Sequence, residues 1–173
     1  MKKIVIILTL VVVFLIYNEV KEETIVIPDN AIRLRVIPNS NSALDQNIKK
    51  KVKTYLEETT YQILKEEENI EEARVLIKEN IPVIEKDINK IFNNNNYNMD
   101  YNVNYGYNYF PEKEYRGIKY NEGYYESIVI SIGKAEGDNW WCVLFPNLCL
   151  IDLEQTEDNE YKSWVAETIN KIF

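Results

Sequence analysis

The residues best equipped for chemistry or recognition cluster late in the chain, in Asn139-Trp140-Trp141-Cys142-Val143-Leu144-Phe145-Pro146 and the following Cys149. Cys142 and Cys149 are the only cysteines. In an oxidising compartment they read as a disulfide, whose short loop contributes about 2.5 kcal/mol by the chain-entropy estimate. The competing reading is two buried thiols in an apolar segment. Zinc would need two further ligands, and no other residues pair with these in a suitable pattern. Histidine is absent. That removes Ser-His-Asp and Cys-His nucleophiles, HExxH zinc hydrolysis and imidazole pH switching. Carboxylates remain, but among 28 Asp and Glu some pair always falls at the spacing of a glycoside hydrolase, so number alone selects none. No catalytic residue, metal or cofactor is therefore expected.

The charge balance narrows the partners. With 20 basic against 28 acidic side chains the chain of 173 residues carries a formal charge of −8. Nucleic-acid affinity comes mainly from clustered Lys and Arg, so no nucleic-acid partner is expected. At 46% apolar residues the composition is that of a folding chain. Lys2 and Lys3 precede an apolar run from Ile4 to Ile16. A basic flank and a short apolar run match a secretory signal, and the run is short for a spanning helix. No small-x-small cleavage pattern follows, so residues 1–17 read as a signal peptide or a signal anchor, the latter touching the membrane through residues 4–16. In either case the remainder lies outside the cytoplasm, secreted or membrane-tethered. Residues 18–30 read as a charged linker, and residues 31–173 as one exported globular domain.

Several elements must position the tryptophan-cysteine segment. Ile32, Leu34 and Val36 alternate with Arg33 and Arg35, the period of a half-buried strand. The arginines then face away from the apolar side, where solvation or pairing with a carboxylate is the ordinary outcome. Pro38-Asn39-Ser40-Asn41 stops the strand, and Ser42 with Asp45 fits a capping box. A helix follows through Ile48, Val52, Tyr55, Leu56, Thr59, Ile63 and Leu64, with Lys49, Lys50, Lys51 and Lys53 mostly on its solvated side. A second helical pattern runs from Ile70 to Ile91, kinked or restarted at Pro82, and closes at the Asn93–Asn96 run. Tyr101, Val103, Tyr105, Tyr107 and Tyr109 alternate as a strand, Tyr115–Ile118 reads as a short strand, and Tyr125–Ile132 as another. A glycine-containing loop, Gly133 to Asp138, leads into Trp140, and a last helix spans Trp164 to Ile172. The order predicts an α+β fold: an antiparallel or mixed sheet of about four strands with helices packed on one face.

Asn139-Trp140-Trp141-Cys142-Val143-Leu144-Phe145-Pro146 resembles the signature of the stage II sporulation protein R family. So do Ile32–Ser42 followed by Asp45-Gln46, and Tyr109-Phe110-Pro111 ahead of Gly123-Tyr124-Tyr125-Glu126. The resemblance runs from about Ala31 to Asp152. It implies an intercompartmental signal of endospore formation, made in the forespore and exported into the intermembrane space. It implies as partner a membrane-embedded aspartic protease of the mother cell, which matures the early mother-cell sigma factor.

A ligand of this kind needs a patch of large rigid side chains. Asn139, Trp140, Trp141, Phe145 and Pro146 are the candidates for partner binding, with Cys142 and Cys149 as the structural disulfide that shapes them. As a strand, the segment allows at most one of Trp140 and Trp141 to face the core. Two other readings stand beside this one: an exported wall-binding module using Tyr101–Tyr109 to stack on sugar rings, and a carboxylate-dependent wall hydrolase.

Overall fold

The computed structural model describes residues 25–115, 118–149 and 158–173. Their elements run β1 (Ile25–Val26), β2 (Ile32–Ile37), α1 (Ala43–Leu64), α2 (Ile70–Asn94), β3 (Tyr101–Phe110), β4 (Lys113–Tyr115), β5 (Ile118–Tyr120), β6 (Gly123–Ile132), β7 (Trp140–Phe145) and α3 (Asp158–Ile172). The expected export segment, residues 1–17, lies outside the described residues, as does most of the expected linker. No helix among the described residues is long and apolar enough to cross a membrane.

The fold is α+β, built on a four-stranded mixed sheet in the order β3-β6-β2-β7. Strand β2 pairs parallel with β6 and antiparallel with β7, and β3 pairs antiparallel with β6 along its whole length. Alternation decides the faces. Leu34, Val36, Ile128, Ile130, Ile132 and Leu144 point to one side and join the main core with α1 and α2. Helix α1 contributes the stripe Ile48, Val52, Leu56 and Leu64, and α2 contributes Ala73, Ile77, Ile84, Ile88 and Phe92. Each fully buried aliphatic side chain here stabilises by roughly 1.5–3 kcal/mol.

Four expectations need correction. Helix α2 runs continuously from Ile70 to Asn94 with Pro82 inside it. Pro82 and Lys78 are both exposed, so the carbonyl that loses its donor faces water, which satisfies it without a break in the helix. The linker reading fails at its end: Ile25–Val26 pair parallel with Ile118 and Lys119, and Ile27 is 1% exposed. The apolar Ile25-Val26-Ile27 run explains this, since it has a second sheet to complete. The single short strand read across Tyr115–Ile118 is two, β4 and β5, which pair antiparallel.

The helices do not all share one face. Ile27, Ile118, Val143 and Leu148 form a second cluster with Val165 of α3, flanked by Trp164 and Ile169. Val143 is the register partner of Arg33, so this cluster sits on the side of the sheet away from α1 and α2. That face carries enough apolar surface to require a cover of its own, and the small sheet β1-β5-β4 with α3 supplies it.

Candidate functional site

The tryptophan strand β7 is held at its start by a polar clamp. The loop after β2 must reverse direction within a few residues, and its side chains do more than cap α1. Ser42 Oγ accepts from the backbone N–H of Asp45, the expected N-cap bond. Asp45 does not return the bond as a capping box would. It is 5% exposed and accepts from Ser40 Oγ at 2.5 Å, Asn39 Nδ2 at 3.0 Å and Tyr97 Oη at 2.5 Å. Burial alone would raise this carboxyl, but its hydrogen bonds, those from Ser40, Tyr97 and Asn39 foremost, outweigh it and hold the pKa at about 2. Burial pushes the Tyr97 hydroxyl up, and its hydrogen bond to Asp45 and then the Asp45 charge add to that.

The loop thus fixed grips the segment ahead of Trp140. Asn39 Oδ1 accepts from Lys134 N–H at 3.0 Å, and Asn41 Oδ1 from Asp138 N–H at 2.6 Å. Lys49 Nζ donates to the Asp138 carbonyl at 2.7 Å and Gln46 Nε2 reaches it at 3.4 Å. Lys49 therefore leaves the solvated face expected of it and tethers the loop. Glycine is required at two points of closest approach. Gly133 sits at φ +55°, and a Cβ there would run into the Asn39 side chain; a Cβ at Gly137 would run into the Ser40 carbonyl.

Cys142 and Cys149 are bonded, with Cα atoms 5.4 Å apart, within the usual range for a disulfide. The bond joins β7 to the turn beyond it, where the Leu148 N–H donates to the Val143 carbonyl at 3.1 Å. The tryptophans straddle the sheet. Trp140 packs against the main core with Lys53 Nζ 5.6 Å from its ring centre, and Trp141 packs on the opposite side beside Phe110, Tyr125 and Val129. Both are half-buried, as is Asn139. Phe145 is 1% exposed and Pro146 is buried. These five do not form one patch: alternation divides the tryptophans, and the register shift between Ile32 and Arg33 turns Phe145 into the main core.

The arginines depart furthest from expectation. Arg33 is 1% exposed, and none of its side-chain nitrogens has a hydrogen-bond partner among the described residues. Its guanidinium carbon lies 3.3 Å from the centre of the Tyr125 ring, with Phe110 at 5.6 Å and Tyr120 at 5.9 Å. The Tyr125 hydroxyl turns to backbone instead, donating toward the carbonyls of Asn121 at 3.0 Å and Glu122 at 3.3 Å. Arg35 sits 5.8 Å from Phe110 and 5.4 Å from Trp141, and Lys113 Nζ is 5.0 Å from Trp141. Aromatic faces thus replace the carboxylates expected to pair with these cations, each contact contributing roughly 0.5–2 kcal/mol. Burial lowers the pKa of both arginines, and for Arg33 the neighbours Tyr125, Tyr120 and Asp29 oppose that. Both groups stay charged at physiological pH.

Carboxylates in less ordinary settings lie elsewhere. Glu126 is buried below α2, ion-paired with Arg74 at 2.8 Å and accepting from Tyr105 Oη at 2.5 Å. Burial raises its carboxyl, and the Arg74 and Tyr105 bonds more than reverse that. A shallow open cleft at the turn between α1 and α2 is lined by Glu67, Asn69, Glu71, Glu72, Val75 and Leu76. Lost solvation and the nearness of Glu72 raise the Glu67 carboxyl. Among the described residues no cluster of His, Cys, Asp or Glu could hold a metal ion.

Neither the acceptor role of Asp45 nor the cation stack was read from the sequence. The polar run Asn39–Ser42 followed by Asp45-Gln46 was the visible signal for the first. For the second the signal was two arginines on a strand that has aromatic neighbours and an acidic remainder.

Disulfide-braced and clamped at a polar loop, this is a small α+β domain that carries a half-buried tryptophan doublet on one strand of its sheet. The family model of stage II sporulation protein R matches residues 28–155, from the start of the first tight turn past the disulfide. Over 137 residues the chain is 36% identical to stage II sporulation protein R of Bacillus subtilis (strain 168), covering 79% of this chain and 61% of that protein. The chain belongs to the stage II sporulation protein R family. No solved structure matches it.

Proposed function

We propose that this chain is an exported intercompartmental signal. It acts from the forespore intermembrane space by docking on a membrane-embedded aspartic protease, which then matures the early mother-cell sigma factor. It turns over no substrate itself. The observation that carries the reading is the family match across residues 28–155, which takes in the asparagine-serine clamp, the tryptophan doublet and the disulfide. The Cys142–Cys149 bond suits an oxidising site of action. The apolar run Ile4–Ile16 is the means of export.

The test is co-expression of the full chain with the candidate protease and its pro-sigma substrate. Maturation should depend on this chain and fall sharply when Trp140 and Trp141 are both replaced by alanine at normal export level. Unchanged maturation in the double variant refutes docking through the tryptophan strand.

One observation favours a second reading. Tyr107, Tyr109 and Tyr124 are exposed, with Tyr109 and Tyr124 in edge-to-face contact at 5.6 Å. Such a patch suits stacking on sugar rings, whereas Tyr101 and Tyr105 lie under the helices. Retention of the purified chain on peptidoglycan, lost in Tyr107→Ala with Tyr124→Ala, would favour a wall-binding module. Release of soluble fragments from that peptidoglycan would favour the hydrolase.

A further inference from the structure

The face of the sheet away from α1 and α2 carries a row of cations between aromatic rings: Arg33 against Tyr125, Phe110 and Tyr120, then Arg35 between Phe110 and Trp141, then Lys113 over Trp141. Its unsatisfied buried atoms are all donors. Arg33 Nε, Nη1 and Nη2, Arg35 Nε and Trp141 Nε1 have no acceptor among the described residues. The bond Arg35 makes among the described residues is long, Nη1 to the Tyr109 carbonyl at 3.5 Å. Buried donors left unpaired are costly, and buried charge is ordinarily neutralised by a partner. Among the described residues this site therefore lacks an acceptor, and beside three cations it lacks an anionic one.

The chain does not supply that anion from its described residues, although its net charge is −8. Of the nearby acids, Asp29 is exposed and acts on Arg33 only as a minor charge. Glu112 is paired with Lys119 at 3.3 Å, and Glu122 accepts from the Tyr109 hydroxyl at 3.2 Å. Glu126 is turned to the other face with Arg74. Arg33 is sealed in, but Arg35 and Trp141 are half-exposed and Lys113 is exposed, so the row has an open end.

We propose that this open end is the docking point for a carboxylate side chain on an acidic segment of the partner protein, received by the Lys113 ammonium and the outer edge of the Arg35 guanidinium beside the Trp141 ring. The inference rests on the reading of the chain as a docking signal and adds the chemistry of what it docks. A carboxylate matches the guanidinium and the neighbouring ammonium in charge and hydrogen-bonding capacity. Trp and Arg are the residues most enriched at the energetic centres of protein interfaces. A long polyanion is disfavoured because the rest of the molecule repels it, whereas a single acidic segment meets only the local cations.

The test uses the full chain co-expressed with the candidate protease and its pro-sigma substrate. Lys113→Glu, at an exposed position that cannot unfold the domain, should reduce maturation about tenfold, and Arg35→Glu by more. Export level and an intact disulfide on non-reducing gels should be unchanged, and Arg35→Lys should retain part of the signal. An acidic-to-lysine change in an extracytoplasmic segment of the protease should restore signalling to Lys113→Glu. Wild-type signalling by both glutamate variants overturns the inference and leaves the docking reading standing. Loss that no such change in the protease repairs assigns the cations to another anion and also overturns it. If the unaltered chain itself drives no maturation, the docking reading falls and this inference with it.

Discussion

Tyr97, just beyond α2, donates its hydroxyl to Asp45 near the start of α1 at 2.5 Å. This single contact ties the end of the helical pair to the loop that grips the Asp138 segment. Removing the donor in Tyr97→Phe should cost about 1.5–3 kcal/mol, the range for a hydrogen bond to a charged group. Asp45→Asn should cost at least as much, because it disturbs Asn39 and Ser40 as well. Urea denaturation of the oxidised protein checks both.

The same carboxylate sets an acid limit. Asp45 titrates at about 2 in the folded chain against an ordinary 3.8. A depressed carboxyl contributes stability that is complete above its unfolded pKa and is lost as pH falls through its folded one. The contribution, about 2 kcal/mol, should therefore be constant at neutral pH and disappear between roughly pH 4 and 2. Glu126, also lowered, adds a loss of the same sign. Thermal melts across this range should show Asp45→Asn with a shallower acid slope than the natural chain.

The disulfide should act as a brace. Cys142→Ser, or reduction of the natural chain, should lower stability by about 2.5 kcal/mol. Cys149 is 6% exposed and belongs to the main core, so the remaining contacts should keep the domain folded at neutral pH. Melts with and without reductant measure the difference.

Much of the fold was legible and some of it was not. The strand of Ile32, Leu34 and Val36, the Ser42 cap and the tyrosine strand follow from local periodicity, which neighbours reinforce. Pro82 misled because its exposure, invisible in sequence, decides whether a lost hydrogen bond matters. Ile25–Ile27 were hidden by the charged residues before them, and their sheet depends on a pairing with Ile118 far along the chain. In the site, the cysteine pairing was one of two open readings. Arg33 was unreadable, since alternation gives the face a side chain points to but not what covers that face.

Close packing makes a further prediction at Gly137. A methyl group there meets the Ser40 backbone rather than a movable side chain. Gly137→Ala should displace the clamp ahead of Trp140, costing about 1–3 kcal/mol. Its signalling should fall further than that of an equally destabilised core variant such as Ile88→Val. Comparing maturation at matched stability separates the two effects.

The account turns on where the chain works. The direct measurement compares the full chain with one lacking residues 1–24, each co-expressed with the protease and the pro-sigma substrate at equal level. The full chain should drive maturation and carry an oxidised Cys142–Cys149 pair, while the shortened chain stays inside, reduced and silent. Equal maturation by the retained, reduced form would contradict the account.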